Sequence, residues 1–340
     1  MAYLENIYEK FKEVYTKDQP KYIPKWIASW SYQDKKQTNY EGDLPQDFYH
    51  FGGPSDLYNW FQWQFSAQRP DYFSDPQLES WHKMARSFDK KIFDENGWEF
   101  PADEVYDRVI GRNNIQDYRL SHLYPVPDRY KVRKVLDFGA GFGRQANLWA
   151  QLNDDLTFVA MDAIPKSYCL QHFYYNQTNY QVHEYVEDPE NFRIDMGAKG
   201  IFHLPTWRTD LLPDNSFDMV LCVQVLPELG GKLVKHMIEV FHRILKPGGA
   251  LYLRDNDEAW KPGYKMDLNE YLPDHGFDLE FRAHVVNKED IMGMPRIWRK
   301  QDPKVMASRV RSQKQKLRDL AWEADAISQG RLRKLYKKFF

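Results

Sequence analysis

Asp137, Asp162 and Asp255 each close a short apolar run, the position a carboxylate takes at the end of a buried strand. Between the first two lies a turn with glycines at 139, 141 and 143, followed by Arg144 and a stretch with helical spacing. A glycine turn between strand and helix presents backbone N–H groups to a nucleotide. A dinucleotide fingerprint would read G-x-G-x-x-G and seat pyrophosphate on the helix. Here the spacing differs, and Asp137 stands just before the turn. A carboxylate there repels pyrophosphate and attracts an ammonium or a sulfonium group. Asp162, about 20 residues beyond the turn, stands where a carboxylate accepts the hydroxyls of a ribose. The ligand these residues suit is a nucleoside that carries positive charge instead of phosphate.

Such residues need a parallel sheet to hold them. Residues 134–138, 155–162, 200–205, 219–223 and 250–254 read as buried strands, and 145–152 and 231–245 as the helices between them. In Arg243-Ile-Leu-Lys-Pro-Gly-Gly249, Pro247 stops the helix and Gly248-Gly249 makes the turn into the next strand. Residues 165–197 exceed what a minimal fold needs; they predict a longer helix and an acidic loop.

Three stretches occur in order: Asp137-x-Gly-x-Gly-x-Gly143, Thr209-Asp-Leu-Leu-Pro-Asp-Asn-Ser-Phe-Asp-Met-Val-Leu-Cys222 and Arg243–Gly249. Together they resemble the motifs of class I S-adenosylmethionine-dependent methyltransferases, over about residues 130–298. The resemblance implies an α/β fold: a Rossmann-like seven-stranded sheet flanked by helices, with 279–286 and 292–298 as its closing antiparallel pair. It implies S-adenosylmethionine as cofactor and S-adenosylhomocysteine as product. Asp137, Gly139, Gly141, Gly143, Asp162 and Ala163 would line the cofactor. Asp210 would bond the adenine amino group, with Leu211 against the ring, and Gln224 would face the methyl-transfer centre. In the segment 109–118, Arg112 or Tyr118 would pair with the methionine carboxylate. Many small-molecule members carry Glu-His where this chain has Pro227-Glu228, so Glu228 replaces the usual base. Asp255, Asp257, His203 and His172 are the other candidates for taking a proton from the acceptor. No metal ligand set is assigned, although the polar cluster Asp255–Glu258 could hold a divalent cation.

The chain divides into an aromatic-rich helical cap and substrate region (1–128), the methyltransferase domain (129–300) and a basic helical tail (301–340). Within the cap, Leu4, Ile7, Phe11 and Val14 mark one helix, residues 55–69 a second loaded with Tyr58, Trp60, Phe61, Trp63 and Phe65, and residues 76–93 a third. Of 340 residues, 16% are aromatic, and a net charge of -2 gives no overall electrostatic case for nucleic acid. Cys169 and Cys222 have neither metal-ligand spacing nor a disulfide framework. No signal peptide or membrane span is read, so a cytoplasmic protein is expected. Aromatic rings and polar strand ends are similar to those of bacterial sugar O-methyltransferases, which points to a sugar or another polyhydroxylated small molecule as acceptor. Two alternatives stand beside it: a macromolecular acceptor such as RNA docked by the basic tail, and a protein that keeps the fold without catalysis. The tail from 303 to 340 also suits a membrane surface or an oligomer contact.

Overall fold

Runs buried on both faces become the central strands, and the glycine and proline punctuation between them sets the crossovers. A computed structural model describes residues 2–22, 51–59, 79–102, 106, 115, 117–118, 121, 132–226, 229, 231–255, 267–282 and 294–301. One sheet holds β1 (Lys134–Phe138), β2 (Thr157–Asp162), β3 (Val182–Glu184), β4 (Gly200–Pro205), β5 (Phe217–Val223), β6 (Leu245–Asp255), β7 (Phe277–Arg282) and β8 (Met294–Lys300). Their order is β3-β4-β2-β1-β5-β6-β8-β7, parallel from β3 to β6, with β8 antiparallel to both β6 and β7. The expected Rossmann-like sheet is present, with one strand more than the seven expected: β3, inside the 165–197 stretch, adds an edge. The order reverses between β1 and β5, the place where an open α/β sheet leaves a crevice beyond its strand ends.

The helices are α1 (Ala2–Tyr22), α2 (Glu79–Asn96), α3 (Ala146–Leu152), α4 (Pro165–Tyr175), α5 (Gly231–Ile244) and α6 (Leu268–Asp274) among the described residues. Leu4, Ile7, Phe11, Val14, Tyr15 and Asp18 form the buried stripe of α1. That stripe lies on α4: the rings of Phe11 and Tyr168 are 4.7 Å apart, and Phe11 and Trp207 are 5.3 Å apart. Helix α4 is therefore covered by the sheet on one side and by α1 on the other. Even Lys166, Ser167, Gln171 and His172 are buried in it.

The N-terminal helices share one core with the sheet. Asp89 of α2, fully buried, accepts bonds from Tyr174 (2.6 Å), Arg144 (3.0 Å), Asn147 (3.3 Å) and the Tyr106 hydroxyl. Among the described rings of the N-terminal region, Phe11, Phe93 and Tyr106 are core residues, Tyr58, Trp81, Phe88 and Trp98 pack partly buried against that core, and Tyr22 is exposed. Helix 55–69 is described only to residue 59, and Trp60, Phe61, Trp63 and Phe65 lie outside the described residues. Met1–Lys300 forms one unit and Gln301–Phe340 another, of which only Gln301 is described. No described helix is long and apolar enough to cross a membrane.

The second and third motifs turn out to brace the sheet at its other end. Asp218 accepts the amides of Arg133 and Lys134 at 3.0 Å and the ammonium of Lys246 at 2.5 Å, joining the start of β1 to the 243–249 turn. Arg243 reaches back to the carbonyls of Leu212 (2.8 Å) and Thr209 (2.7 Å). These contacts fix the register from which the strand ends project.

Candidate active site

At the end of β1 the chain must turn sharply while β5 closes in beside it. Gly139 (φ 72°) is set so close to Val225 that a Cβ would lie 2.2 Å from Val225 Cγ2, so only glycine fits. Two residues on, a Cβ at Gly141 would meet nothing within 4 Å, so the turn opens there onto space. A Cβ at Gly143 would lie 2.7 Å from Tyr175 on α4, so this glycine lets helix and turn approach.

Asp137 lies behind this opening, 2% exposed, with Oδ2 buried and without a hydrogen-bond partner among the described residues. Burial, and then the like charges of Asp162 and Asp117, push its carboxyl well above the usual range. A buried carboxylate lacking a partner and repelled by two others strongly favours a cation beside it. That donor set fits the sulfonium and ammonium groups of S-adenosylmethionine.

Asp162 ends β2 beside it and is held differently. Its Oδ1 accepts Ile164 N–H at 2.9 Å; its Oδ2 accepts Gly141 N–H at 3.2 Å and the Gln171 side-chain amide at 2.9 Å. Burial pushes its pKa up to about 6, although the Ile164, Gln171, Gly141 and Ala163 donors favour the anion. A carboxylate has about four acceptor positions, and three are filled here. It therefore cannot take both ribose hydroxyls, as the sequence led us to expect, unless it gives up one of these bonds.

The residue expected at the adenine, Asp210, lies off the strand end. Asp162 pairs in register with Pro205, so β4 ends at Pro205 and the next residue is Thr206. Asp210 lies four residues farther on, in the 3-10 turn Thr209–Leu211, its side chain 45% exposed and gripped by Arg208 through two bonds of 2.9 Å. Leu211 is half-buried in the same turn. At the strand end itself stands Thr206, 5% exposed, its amide on the Asp162 carbonyl (3.1 Å) and its hydroxyl buried without a partner among the described residues. Only strand pairing reveals that position; no sequence motif marks it.

On the other side of β1, Gln224 follows β5 with a left-handed backbone (φ 59°) and bonds the Arg254 carbonyl through its amide at 2.9 Å and its side chain at 3.1 Å. Asp255 ends β6, 1% exposed, with neither oxygen making a directed hydrogen bond among the described residues. Burial raises its pKa to about 7, against the charges of Arg296 and Arg254 and the nearby amides of Gln224 and Val225. Arg254 is turned aside: Asp117 takes it in a two-pronged pair at 2.7 and 2.9 Å, and Tyr252 and Gln145 add bonds to the same carboxylate at 2.5 and 3.1 Å. This pair fixes the segment around residue 117 over the end of β6, a role no motif announces.

Other expected site residues fall elsewhere. His203 lies within β4, fully buried, its Nδ1 2.8 Å from Glu184 and its Nε2 2.9 Å from Gln171, with Tyr168 stacked on its ring at 3.8 Å. Both nitrogens are engaged, so it supports the site from beneath and is not the base. Tyr118 packs between Trp81 and Trp149 at 5.2 Å from each ring, in the core. Arg112, Glu228 and Asp257 lie outside the described residues.

The one buried cluster of metal-ligating types among the described residues is His172, Glu184 and His203. Zinc bonds of about 2.0–2.2 Å in tetrahedral array would hold two donors roughly 3.3 Å apart. Glu184 Oε2 lies only 2.6 Å from His172 Nδ1 and 2.8 Å from His203 Nδ1, which is hydrogen-bond spacing.

Comparison with known proteins places a family on the same strands. Residues 136–253 match the model of a methyltransferase domain. O-methyltransferase 3 of Dictyostelium discoideum is 28% identical over 155 residues, which are 43% of this chain and 32% of that protein. The chain thus spans about a third of that relative's length. A SAM-dependent methyltransferase from Methanosarcina mazei superposes with a TM-score of 0.38 at 16% identity, over 51% of this chain and 94% of that one. The N-methyltransferase NodS of Bradyrhizobium japonicum gives 0.38 at 14% identity, over 56% and 95%. Residues 136–253, which run from β1 into β6 and carry the glycine turn, thus match a methyltransferase domain, in keeping with the class I, S-adenosylmethionine-dependent family.

Proposed function

We propose that this chain transfers the methyl group of S-adenosylmethionine to a hydroxyl of a sugar or another polyhydroxylated small molecule. The observation that carries the reading is Asp137, whose buried oxygen lacks a partner beside the open side of the glycine turn. When bound, the cofactor supplies an electrophilic methyl on a sulfonium, and the positive charge disappears as the methyl leaves. Little charge then needs stabilising in the transition state, so the site contributes chiefly placement and exclusion of water. Asp137 would hold the cationic end, Asp162 one ribose hydroxyl, and Thr206 an edge of the adenine.

A hydroxyl acceptor must lose its proton as its oxygen attacks. Asp255 suits the role of base, since it is buried, lacks a directed donor and has a pKa of about 7. Near neutrality it both exists as the anion and accepts a proton. The relative from Dictyostelium is named an O-methyltransferase, in keeping with an oxygen acceptor. Titration calorimetry with S-adenosylmethionine tests the first half, and absence of binding removes the proposal. Mass-spectrometric detection of methyl transfer to a panel of sugars and polyols tests the second. Transfer to amines or RNA and to no hydroxyl would overturn the acceptor class.

A further inference from the structure

Beneath the glycine turn runs a buried chain of side chains that the reaction does not itself need. Gln171 of α4 donates from Nε2 to the Gly141 carbonyl at 2.6 Å and to Asp162 Oδ2 at 2.9 Å. Both partners are acceptors, so the amide can point only one way, with Oε1 towards His203 Nε2 at 2.9 Å. An amide oxygen cannot donate, so His203 must carry a proton on Nε2. Its Nδ1 faces Glu184 Oε2, and the same oxygen lies 2.6 Å from His172 Nδ1. Asn176 donates towards His172 Nε2 at 3.2 Å, which leaves the His172 proton on Nδ1, aimed at Glu184. Tyr168 adds its hydroxyl to Glu184 Oε1. Glu184 thus lies against both imidazoles; against burial, their charges and hydrogen bonds hold its carboxyl down to about 2, while burial lowers the pKa of His203.

We propose that Gln171 is a positioning residue for the cofactor: its amide, oriented by the Gly141 carbonyl on one side and His203 Nε2 on the other, ties Gly141 to Asp162 and sets how turn and carboxylate meet the ligand. The clamp fills an acceptor position on Asp162 Oδ2 and pins the carbonyl of the one glycine of the turn whose Cβ side is open. It therefore decides which Asp162 oxygen is left for a ribose hydroxyl. The 165–197 stretch acquires a purpose on this view, because α4 and β3 bring Gln171, His172 and Glu184 to a site that the shorter sheet would leave without them. The proposal rests on the cofactor reading above.

The test uses the full chain and S-adenosylmethionine as the probe, with thermal melting to confirm folding. Gln171→Leu removes both donors and should weaken binding about tenfold, the loss of one bond to a charged group. Gln171→Glu, nearly isosteric, sets an acceptor against two acceptors and should bind no better than Gln171→Leu. At position 203 two amides separate orientation from bulk. His203→Gln keeps a donor where Nε2 was and should recover most of the affinity; His203→Asn keeps only the Glu184 side and should resemble Gln171→Leu. The loss should appear in the cofactor's KM, with kcat at saturation little changed. Should a substituted chain fail to fold, carboxyl NMR of ligand-free Gln171→Asn gives the decision, since loss of the donor must raise the Asp162 midpoint. An unchanged Kd in folded Gln171→Leu, or equal behaviour of the two His203 variants, overturns this proposal alone. No binding by the unsubstituted chain overturns the cofactor reading and this proposal with it.

Discussion

Cofactor affinity should fall about tenfold when the pH is lowered from 7 to 5. The perturbation acts on Asp162, whose pKa burial raises from 3.8 to about 6. If the ligand needs the anion, the ionised fraction of this group governs binding. That fraction is about nine-tenths at pH 7 and about one-tenth at pH 5, a ratio of roughly ten in Kd. Asp137, raised further by burial and by Asp162 and Asp117, works in the same direction. The same shift has a sign for stability. Between about pH 4 and pH 6 the ligand-free folded chain keeps a proton that the unfolded chain has released, so this group's contribution falls as pH rises through that window. A shift of about two units amounts to about 3 kcal/mol. Cofactor should restore that loss, since binding favours the anion. Calorimetry at both pH values, in buffers of different ionisation enthalpy, measures the affinity and the protons released together. Asp162→Asn should make the profile shallower, leaving only the part due to Asp137. A wild-type Kd that is flat between pH 5 and pH 7, with no proton released, would refute the placing of Asp162 at the cofactor.

The two glycines of the turn should separate stability from binding. Gly139→Ala drives a methyl into Val225 and should lower the melting temperature sharply; Gly141→Ala should cost about 1–2 kcal/mol of backbone strain yet weaken cofactor binding far more, because its Cβ enters the open side. Asp255→Asn should keep cofactor affinity within about twofold, since its charge serves the acceptor, and abolish the rise of kcat through about pH 7 in a pH–rate series. Asp117→Ala removes the carboxylate that takes two bonds from buried Arg254 and should destabilise by about 3–5 kcal/mol in denaturant titration; a loss below about 1 kcal/mol would show that the pair does not hold this wall.

What the sequence disclosed and what it hid divide on a physical line. β1, its glycine turn, β2 and the 209–222 and 243–249 stretches were legible because turn chemistry and apolar runs are local. The bracing of Asp218 by Lys246 lies within such stretches, although their sequence suggested cofactor contact as readily as support. β3 was missed, since three residues carry no period and only pairing with β4 makes them a strand. Helix α4 showed no apolar stripe because both its faces are buried, so the polar types on it could not be assigned to a surface or an interior. Asp210 stood out in the sequence and Thr206 did not for a related reason: a carboxylate is conspicuous there, whereas the strand end depends on the register of β4 against β2.

Arg144 stands one residue beyond the glycine turn, and a guanidinium at a helix start would by itself attract phosphate. In the folded chain Arg144 is 8% exposed and turned away from the turn's open side, onto Asp89 of α2 and the hydroxyl of Tyr106 at 2.7 Å. Its charge is spent on docking the N-terminal helix, and it offers little to an anion at the turn. Selection against phosphate therefore falls to Asp137, whose field at the opening is reinforced by Asp162 and Asp117. The same bond makes the glycine turn and α2 one mechanical unit, since Asp89 also receives Asn147 of α3 and Tyr174 of α4. A movement of α2 would thus reach α3, α4 and the residue after Gly143 together.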